Sequence, residues 1–280
     1  MVTSRPPFTI YPARRILTMD RTLPVAGAVA VLDGRILGVG DTATLATWGT
    51  HRVDDRYADR VLMPGLIEGH SHLLEGGIWD YPYLGFYQRR SPDGSMWPAL
   101  RSIDAVVERL QKAELDLRDP DVPLVAWGFD PILFRGPRMV VADLDRVSKQ
   151  RPIAVIHSNF HVLNANSAML KQVGITRDTD VDGIVRDDRG EPTGELAEMA
   201  AMFPVFQRIG DPFRAGRTER AVWNFARLAQ AVGVTTAADL TNDLSDESVG
   251  SLQAATVRED FPLRIVAAFF GLGIDPRAGI

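Results

Sequence analysis

Residues 61–72 read VLMPGLIEGHSH, an apolar run with a Pro-Gly turn that ends in two histidines. Side chains of a β-strand point alternately to its two faces, so His70 and His72 share one face while Ser71 points to the other. Two imidazoles on the same face at the end of a strand can hold a metal ion together. The stretch therefore predicts a buried strand that delivers two metal ligands. The alternative is a pair of ordinary strand histidines, one of them hydrogen-bonded in a pocket.

The composition narrows the class of protein. The chain has 280 residues, of which 45% are hydrophobic, so it can bury a large core. Its 31 Lys and Arg against 36 Asp and Glu give a net charge of -5. The sequence has no block of basic residues that could bind along a phosphate backbone, so we do not expect a nucleic-acid partner. It has no cysteine, which excludes disulfides and thiolate metal ligands. We find no apolar run long enough to cross a bilayer and no signal-peptide pattern, and we expect a cytoplasmic protein without a membrane partner.

The pattern of elements changes near residue 60. Residues 1–60 predict a small β module, in which FTIYPARRILTM (8–19) forms a pair of short strands and Asp33-Gly34 forms a hairpin turn. After residue 60, apolar strand-like runs alternate with two amphipathic helices at 102–116 and 218–233. The runs are at 122–130, 152–160, 233–240 and 262–271. This alternation is typical of a mainly parallel sheet covered by helices.

Several segments, in this order, resemble one family. They are MPGLIEGHSH (63–72), WGFDPILF (127–134), the stretch from ADLDRV to NSAML (142–170), DGIVRDDRGEPTGELAEMA (182–200) and GVTTAADL (233–240). Together they resemble the N-terminal portion of the amidohydrolase superfamily, in the branch called amidohydrolase family 3 or YtcJ-like metal-dependent hydrolases. The chain departs from the family pattern at Glu68, where the family more often has Asp.

The resemblance implies an α/β fold, an incomplete (β/α)8 barrel of the TIM type with an N-terminal β-sandwich module. Residues 1–60 would be the N-terminal part of a composite β-sandwich, and residues 61–280 the first part of the barrel. Runs 233–240 and 262–271 would be its second and third strands, and an insertion at about 80–215 would cover the active-site mouth. Active sites of such barrels lie at the C-terminal ends of the strands, where the HSH sequence lies.

The resemblance also implies a metal site held by His70 and His72, with one or two divalent ions and zinc as the expected metal. The family's remaining ligands and its general-base Asp come from later strands, and we expect that Asp beyond residue 280. The five histidines are at positions 51, 70, 72, 157 and 161, and two ligands leave a catalytic zinc short of the usual three. We therefore expect that the chain needs a missing C-terminal half or a companion chain. A homo-oligomer is a further alternative.

Three residues of the insertion are candidates for substrate binding. His161 has a family counterpart near the pocket, although it could equally bond a loop carbonyl. Asp130 could contact the substrate or cap the turn into Pro131. Glu198 is either a carboxylate that faces the pocket or a residue on the surface of a helix.

The expected activity is hydrolysis of a carbon–nitrogen bond of the amide type, outside peptides, in a small molecule. A metal lowers the pKa of its bound water toward ~7 and polarises the substrate carbonyl. One alternative is a non-catalytic binding or scaffold remnant of the same fold. Another is a metal-dependent decarboxylase or isomerase, because the fold alone does not select the reaction.

Overall fold

The computed structural model describes residues 7–210, 218–242 and 245–269. The chain divides into two compact units, residues 1–66 and 67–280. Among the described residues, no helix combines the length and the apolar character that a membrane span requires.

The first unit is built on one mixed sheet. Its strands are β1 (Phe8–Leu17), β2 (Val25–Leu32), β3 (Arg35–Gly40), β4 (His51–Val53) and β5 (Val61–Leu62). The sheet order is β3-β2-β1-β4, and β5 also pairs with β1. Helix α1 (Thr42–Ala46) packs Leu45 against the apolar residues of β1 and β2. The second sheet of a sandwich stays a prediction.

Two turn predictions in this unit had different outcomes. The hairpin at Asp33-Gly34 is confirmed, because both residues have positive φ, 49° and 71°, between the antiparallel strands β2 and β3. The pair of strands predicted over 8–19 is wrong, since the structure has the single strand β1. Its pairing with β2 shifts between Pro12 and Ile16. A bulge at this point lets one strand continue past Pro12.

The second unit holds the remaining strands and helices. The strands are β6 (Leu66–Ser71), β7 (Arg89–Arg90), β8 (Met96–Trp97), β9 (Leu124–Phe129), β10 (Ile153–His157), β11 (Val162–Ala165), β12 (Ile184–Arg186), β13 (Pro192–Ala197), β14 (Val234–Asn242) and β15 (Arg264–Phe269). The helices are α2 (Ile103–Leu115), α3 (Val141–Asp145), α4 (Ser167–Gln172), α5 (Glu198–Ile209), α6 (Glu219–Ala231) and α7 (Asp246–Thr256).

The larger sheet of this unit has the order β12-β13-β11-β10-β9. Strands β9 and β10 are buried throughout, because their alternate residues face two different cores. Leu124 and Ile153 pack with α2, whereas Val125 and Ala154 pack with residues of α4 and α5. A strand covered on both faces is apolar at nearly every position, and in these two strands the polar exception is His157 at the end of β10.

The prediction of a mainly parallel sheet is wrong for this sheet. Only β9 and β10 are parallel in it, while β11, β12 and β13 pair antiparallel. The reason is the short connection from β10 to β11, which returns directly and leaves no room for a crossover helix.

The predicted strands at 61–72, 233–240 and 262–271 meet in a second sheet with the order β15-β14-β6. Strands β14 and β15 are parallel, and Ala226 and Ala229 of α6 pack with Ala237 and Leu263. The prediction that β6 is buried is wrong, because five of its six residues are exposed and Ile67 is 75% exposed. Strand β6 lies at the edge of the described sheet, and within the described part of the chain its Leu66 and Ile67 are exposed. The described strands do not close into a barrel.

Candidate active site

The two histidines of the HSH sequence lie side by side. The ring centroids of His70 and His72 are 5.1 Å apart and their planes meet at 87°. Ser71 between them is buried, and its hydroxyl donates to the carbonyl oxygen of Ala238 on β14 at 2.8 Å. The alternation of the strand therefore brings the two imidazoles together and anchors the residue between them to the next strand.

Two carboxylates lie close to this pair. Glu68 accepts a hydrogen bond from the backbone N–H of His70 at 3.1 Å, which fixes the backbone and leaves the imidazole untouched. Glu75 follows on the short 3₁₀ turn Leu73–Gly76. Burial raises the pKa of Glu75, and the charges of His72 and Arg89 oppose this shift. Glu75 is thus a partly buried carboxyl group in the electrostatic field of His72 and Arg89.

Both histidines line a cavity of about 580 Å³. We call it the histidine cavity, and its lining includes His70, His72, Glu75, Trp79, Arg89 and Trp127. The residues of α6 that close one side are apolar, Phe225 and Leu228 among them. A concave, mainly apolar space with a few convergent polar groups is typical of a small-molecule site.

Three aromatic rings form a cluster that reaches the histidine cavity, and we call it the aromatic cage. It consists of Trp79, Tyr83 and Trp127. Trp127 lies 5.0 Å from Trp79 and 5.1 Å from Tyr83, measured between ring centroids. The guanidinium carbon of Arg89 lies 5.2 Å from the ring centroid of Trp127 and 5.7 Å from that of Trp79. These distances are within the range of cation–π attraction.

The backbone of β9 sets the position of Tyr83. Trp127 donates its N–H to Pro82 at 3.0 Å and accepts from the N–H of Leu84 at 2.7 Å, which holds the segment around Tyr83 alongside β9. The Tyr83 ring then lies over Gly128, whose φ is +87°, and a Cβ at this glycine would overlap the ring. The WGFD sequence is thus explained by packing, since Trp127 supplies one wall of the cage and Gly128 leaves room for another.

One polar atom of the cage is left without a partner. The buried indole N–H of Trp127 has no hydrogen-bond acceptor within the described part of the chain. Such a group costs about 1–3 kcal/mol of stability. Buried polar groups without a partner are destabilising, and such departures from the most stable arrangement are expected mainly at functional or strained sites.

The structure brings His161 and Glu198 together, but away from the histidine cavity. His161 Nδ1 lies 3.1 Å from Glu198 Oε2, and the two side chains are 69% and 72% exposed. Neither residue lines the histidine cavity, although the neighbouring Phe160 does. Glu198 has φ +63° and Phe160 has φ +59°, values that cost non-glycine residues energy.

Asp130 caps the turn that follows β9. Its Oδ1 accepts from the N–H of Ile132 at 3.1 Å, and its carbonyl accepts from Leu133. This contact is the one that the capping alternative requires, and Asp130 does not line the histidine cavity.

His157 belongs to the core and not to the cavity. It is 2% exposed, and its Nε2–H donates to Asn164 Oδ1 at 2.6 Å. Burial lowers the pKa of His157, and the hydrogen bond to Asn164 and the charge of Glu195 partly oppose this shift. A neutral imidazole donating to Asn164 fits this surrounding.

Arg89 and Arg90 are the charged residues of the cavity that the sequence analysis does not predict. The signal was present in WDYPYLGFYQRR (79–90), where two arginines follow an aromatic segment. No periodicity distinguishes this stretch from ordinary core and surface. Its meaning depends on Trp127, which lies about forty residues further along the chain.

The donor set fits a metal site in part. Two imidazole nitrogens suit zinc and similar divalent ions, which need at least three protein ligands at a catalytic site. Within the described residues, no three His, Cys, Asp or Glu side chains are close enough together to hold a metal ion.

Comparison with known proteins connects the chain to one family. Its residues 58–277 match the sequence model of the amidohydrolase family. It is 32% identical over 196 residues to the putative amidohydrolase YtcJ of Bacillus subtilis, covering 66% of this chain and 35% of that protein. It is 28% identical over 231 residues to the protein LONG AFTER FAR-RED 3 of Arabidopsis thaliana, covering 80% of this chain and 37% of that one. It is 31% identical over 208 residues to the exoenzymes regulatory protein AepA of Pectobacterium carotovorum, covering 69% of this chain and 41% of that protein.

Two solved structures share the fold. A metal-dependent hydrolase of Pyrococcus furiosus superposes with a TM-score of 0.57 at 17% identity, covering 94% of this chain and 50% of that one. A metal-dependent hydrolase of Pyrococcus horikoshii gives a TM-score of 0.55 at 14% identity, covering 94% and 48%. The chain spans between 35% and 41% of the length of the three curated relatives from Bacillus, Arabidopsis and Pectobacterium. On the family match and the order of its motifs, the chain belongs to the amidohydrolase family.

Proposed function

We propose that the complete protein is a metal-dependent hydrolase of a carbon–nitrogen bond of the amide type, outside peptides, in a small molecule. The observation that carries the proposal is the pair of imidazoles 5.1 Å apart in one cavity. His70 and His72 would hold the metal, expected to be zinc, as one ion or two. The bound metal supplies an activated water and polarises the substrate's carbonyl group.

The other residues of the histidine cavity position the substrate and exclude water from it. Trp79, Trp127 and Phe160 offer apolar surface to the body of a substrate. The carboxyl group of Glu75 interacts electrostatically with His72 and would favour the positive charge of a metal held there. None of these residues is assigned the general base.

The remaining ligands and the general-base Asp would come from beyond residue 280 or from a companion chain. Support comes from the two imidazoles without a third ligand among the described residues and from the greater length of the relatives. Activity is therefore expected only when the later barrel strands are present. The lack of a basic surface block and of cysteines supports a small-molecule partner and a cytoplasmic site of action.

The test is metal analysis of the complete purified protein followed by assays on a panel of small amides. We expect stoichiometric metal and hydrolysis that a chelator abolishes. Metal-free protein that binds small molecules without hydrolysing them would favour the scaffold alternative. Release of carbon dioxide or isomerisation of a substrate would favour the other two reactions.

His161 and Asp130 remain proposed substrate-binding residues, together with Glu198. His161→Ala or Asp130→Ala should change KM or kcat while the metal content stays at the wild-type level. Asp130→Asn is the matched control, because its side-chain oxygen can still accept from Ile132 and cap the turn. Loss of metal in either alanine variant would make that residue a ligand.

A further inference from the structure

Arg89 is a charged residue of the histidine cavity that the proposed reaction does not use. Its guanidinium carbon lies 5.7, 5.9 and 5.2 Å from the ring centroids of Trp79, Tyr83 and Trp127. Its guanidinium group makes no hydrogen bond or ion pair with any residue that the structure describes. The faces of three rings therefore hold this cation, and its N–H donors have no acceptor within the described ranges.

A short ribbon sets the place of Arg89 along the chain. Strand β7 pairs antiparallel with β8, with Arg89 opposite Trp97. The turn between them is closed by a bond from the Ser91 N–H to the Ser95 carbonyl at 2.9 Å. Asp93 caps it further by accepting from the N–H of Ser95. The arginine thus enters the cavity from an ordered hairpin.

The chemistry of a guanidinium held in this way points to one kind of partner. Stacking on aromatic faces leaves the planar edge of the group, with its N–H donors, available for hydrogen bonds. A carboxylate is the acceptor that matches this edge with two parallel bonds. Arg90 lines the same cavity and adds positive charge, against the carboxyl groups of Glu68 and Glu75.

We propose that Arg89 determines specificity by binding a carboxylate of the substrate, so that the cavity takes amides that carry a carboxylate and an apolar or aromatic body. The body would lie against Trp79 and Phe160, which line the cavity beside the arginine. The role of this ligand as a substrate rests on the proposed function, whereas the binding of a carboxylate to Arg89 does not. A cationic ligand would instead have to displace the guanidinium from the three rings.

The experiment measures binding to the complete protein after its metal has been removed with a chelator, so that no probe can ligate a metal. The probes are phenylacetate, its neutral isostere phenylacetamide, and the cation phenethylamine. Quenching of tryptophan fluorescence reports binding, because two of the cage rings are tryptophans. We expect phenylacetate to bind the wild type at least about tenfold more tightly than either other probe.

Two substitutions at Arg89 and one matched control test the assignment. Arg89→Gln should weaken phenylacetate binding by about tenfold and leave phenylacetamide within about twofold. Arg89→Lys keeps the charge and should give an intermediate loss, which protects the test if the glutamine variant loosens the cage. Arg101 is the control, because it also stacks on rings, 4.0 Å from the centroid of Phe86, but does not line the cavity. Arg101→Gln should bind phenylacetate as the wild type does.

Three outcomes would overturn the proposal. They are equal binding of phenylacetate and phenylacetamide, preferred binding of phenethylamine, and an equal loss in the Arg101 variant. The double variant His70→Ala, His72→Ala separates this proposal from the proposed function. It should keep its phenylacetate affinity even though it holds no metal, and a loss there would move the carboxylate site from Arg89 to the histidines.

Discussion

His70 and His72 hold their rings edge to face at 5.1 Å, while Ser71 between them is bonded to the carbonyl of Ala238 on the neighbouring strand. The histidine pair is thus tied to β14 through the residue that points the other way. Any displacement of β6 along β14 would break this bond and move both imidazoles together. The positions of the two imidazoles are therefore coupled to each other and to β14 through Ser71.

The first prediction is that metal binding depends on both histidines. The double substitution His70→Ala, His72→Ala should remove bound metal from the complete protein and abolish hydrolysis, because the two rings are the imidazole donors of the cavity. Elemental analysis of the purified variant measures this directly. His51→Ala is the control, since His51 lies outside the cavity, and it should retain its metal. Unchanged metal in the double variant would refute the assignment.

The second prediction concerns the glycine beneath the aromatic cage. Gly128→Ala should lower the free energy of unfolding by about 1–3 kcal/mol and displace Tyr83, because the new Cβ meets the ring and the backbone has φ +87°. Thermal unfolding and tryptophan fluorescence report the two effects. Gly174→Ala is the matched control, with φ +73° and open space around it, and it isolates the backbone strain. Equal destabilisation of the two variants, with unchanged fluorescence, would show that Tyr83 does not press on Gly128.

The third prediction is an acid-sensitive core at His157. Burial lowers the pKa of His157 in the folded protein, so below the ordinary value the unfolded chain binds more protons. This contribution to stability is present above about pH 6.5 and is lost as the pH falls toward the lowered pKa. His157→Gln removes the titrating group and keeps a donor for Asn164, so its unfolding free energy should vary less between neutral and mildly acidic pH. A variant with the pH dependence of the wild type, measured by urea unfolding, would contradict this.

Much of the local structure could be predicted because it is set by neighbours in sequence. Asp33-Gly34 forms its turn because Gly accepts positive φ, and β9 and β10 are strands with continuous apolar runs that are buried on both faces. The placing of His70 and His72 side by side agrees with strand alternation at the end of β6. These features depend on a few consecutive residues, so they can be predicted from the local sequence.

The parts that could not be predicted depend on contacts between distant segments. His161 and Glu198 meet because Val162 pairs with Ala197 in the antiparallel ladder, which the expectation of a parallel sheet excluded. Arg89 and Trp127 meet because the backbone of Trp127 holds the segment around Tyr83. The apolar residues of β6 predict a buried strand. Whether the strand is buried, however, depends on what lies beside the edge of the sheet. Sequence periodicity carries no information on any of these pairings.

The last prediction is that residues 1–280 expressed alone are not a self-sufficient enzyme. In the described sheet of three strands, Ile67 on β6 is 75% exposed and Val266 on β15 is 52% exposed. Apolar side chains and open strand edges of this kind promote association. We expect such a chain to be insoluble, molten or associated with another copy or fragment, and inactive on amides even with added zinc. Light scattering after gel filtration, dye binding and thermal unfolding measure these properties. A monodisperse monomer that unfolds cooperatively and hydrolyses amides would contradict the prediction and would require a third ligand and a base from within these residues.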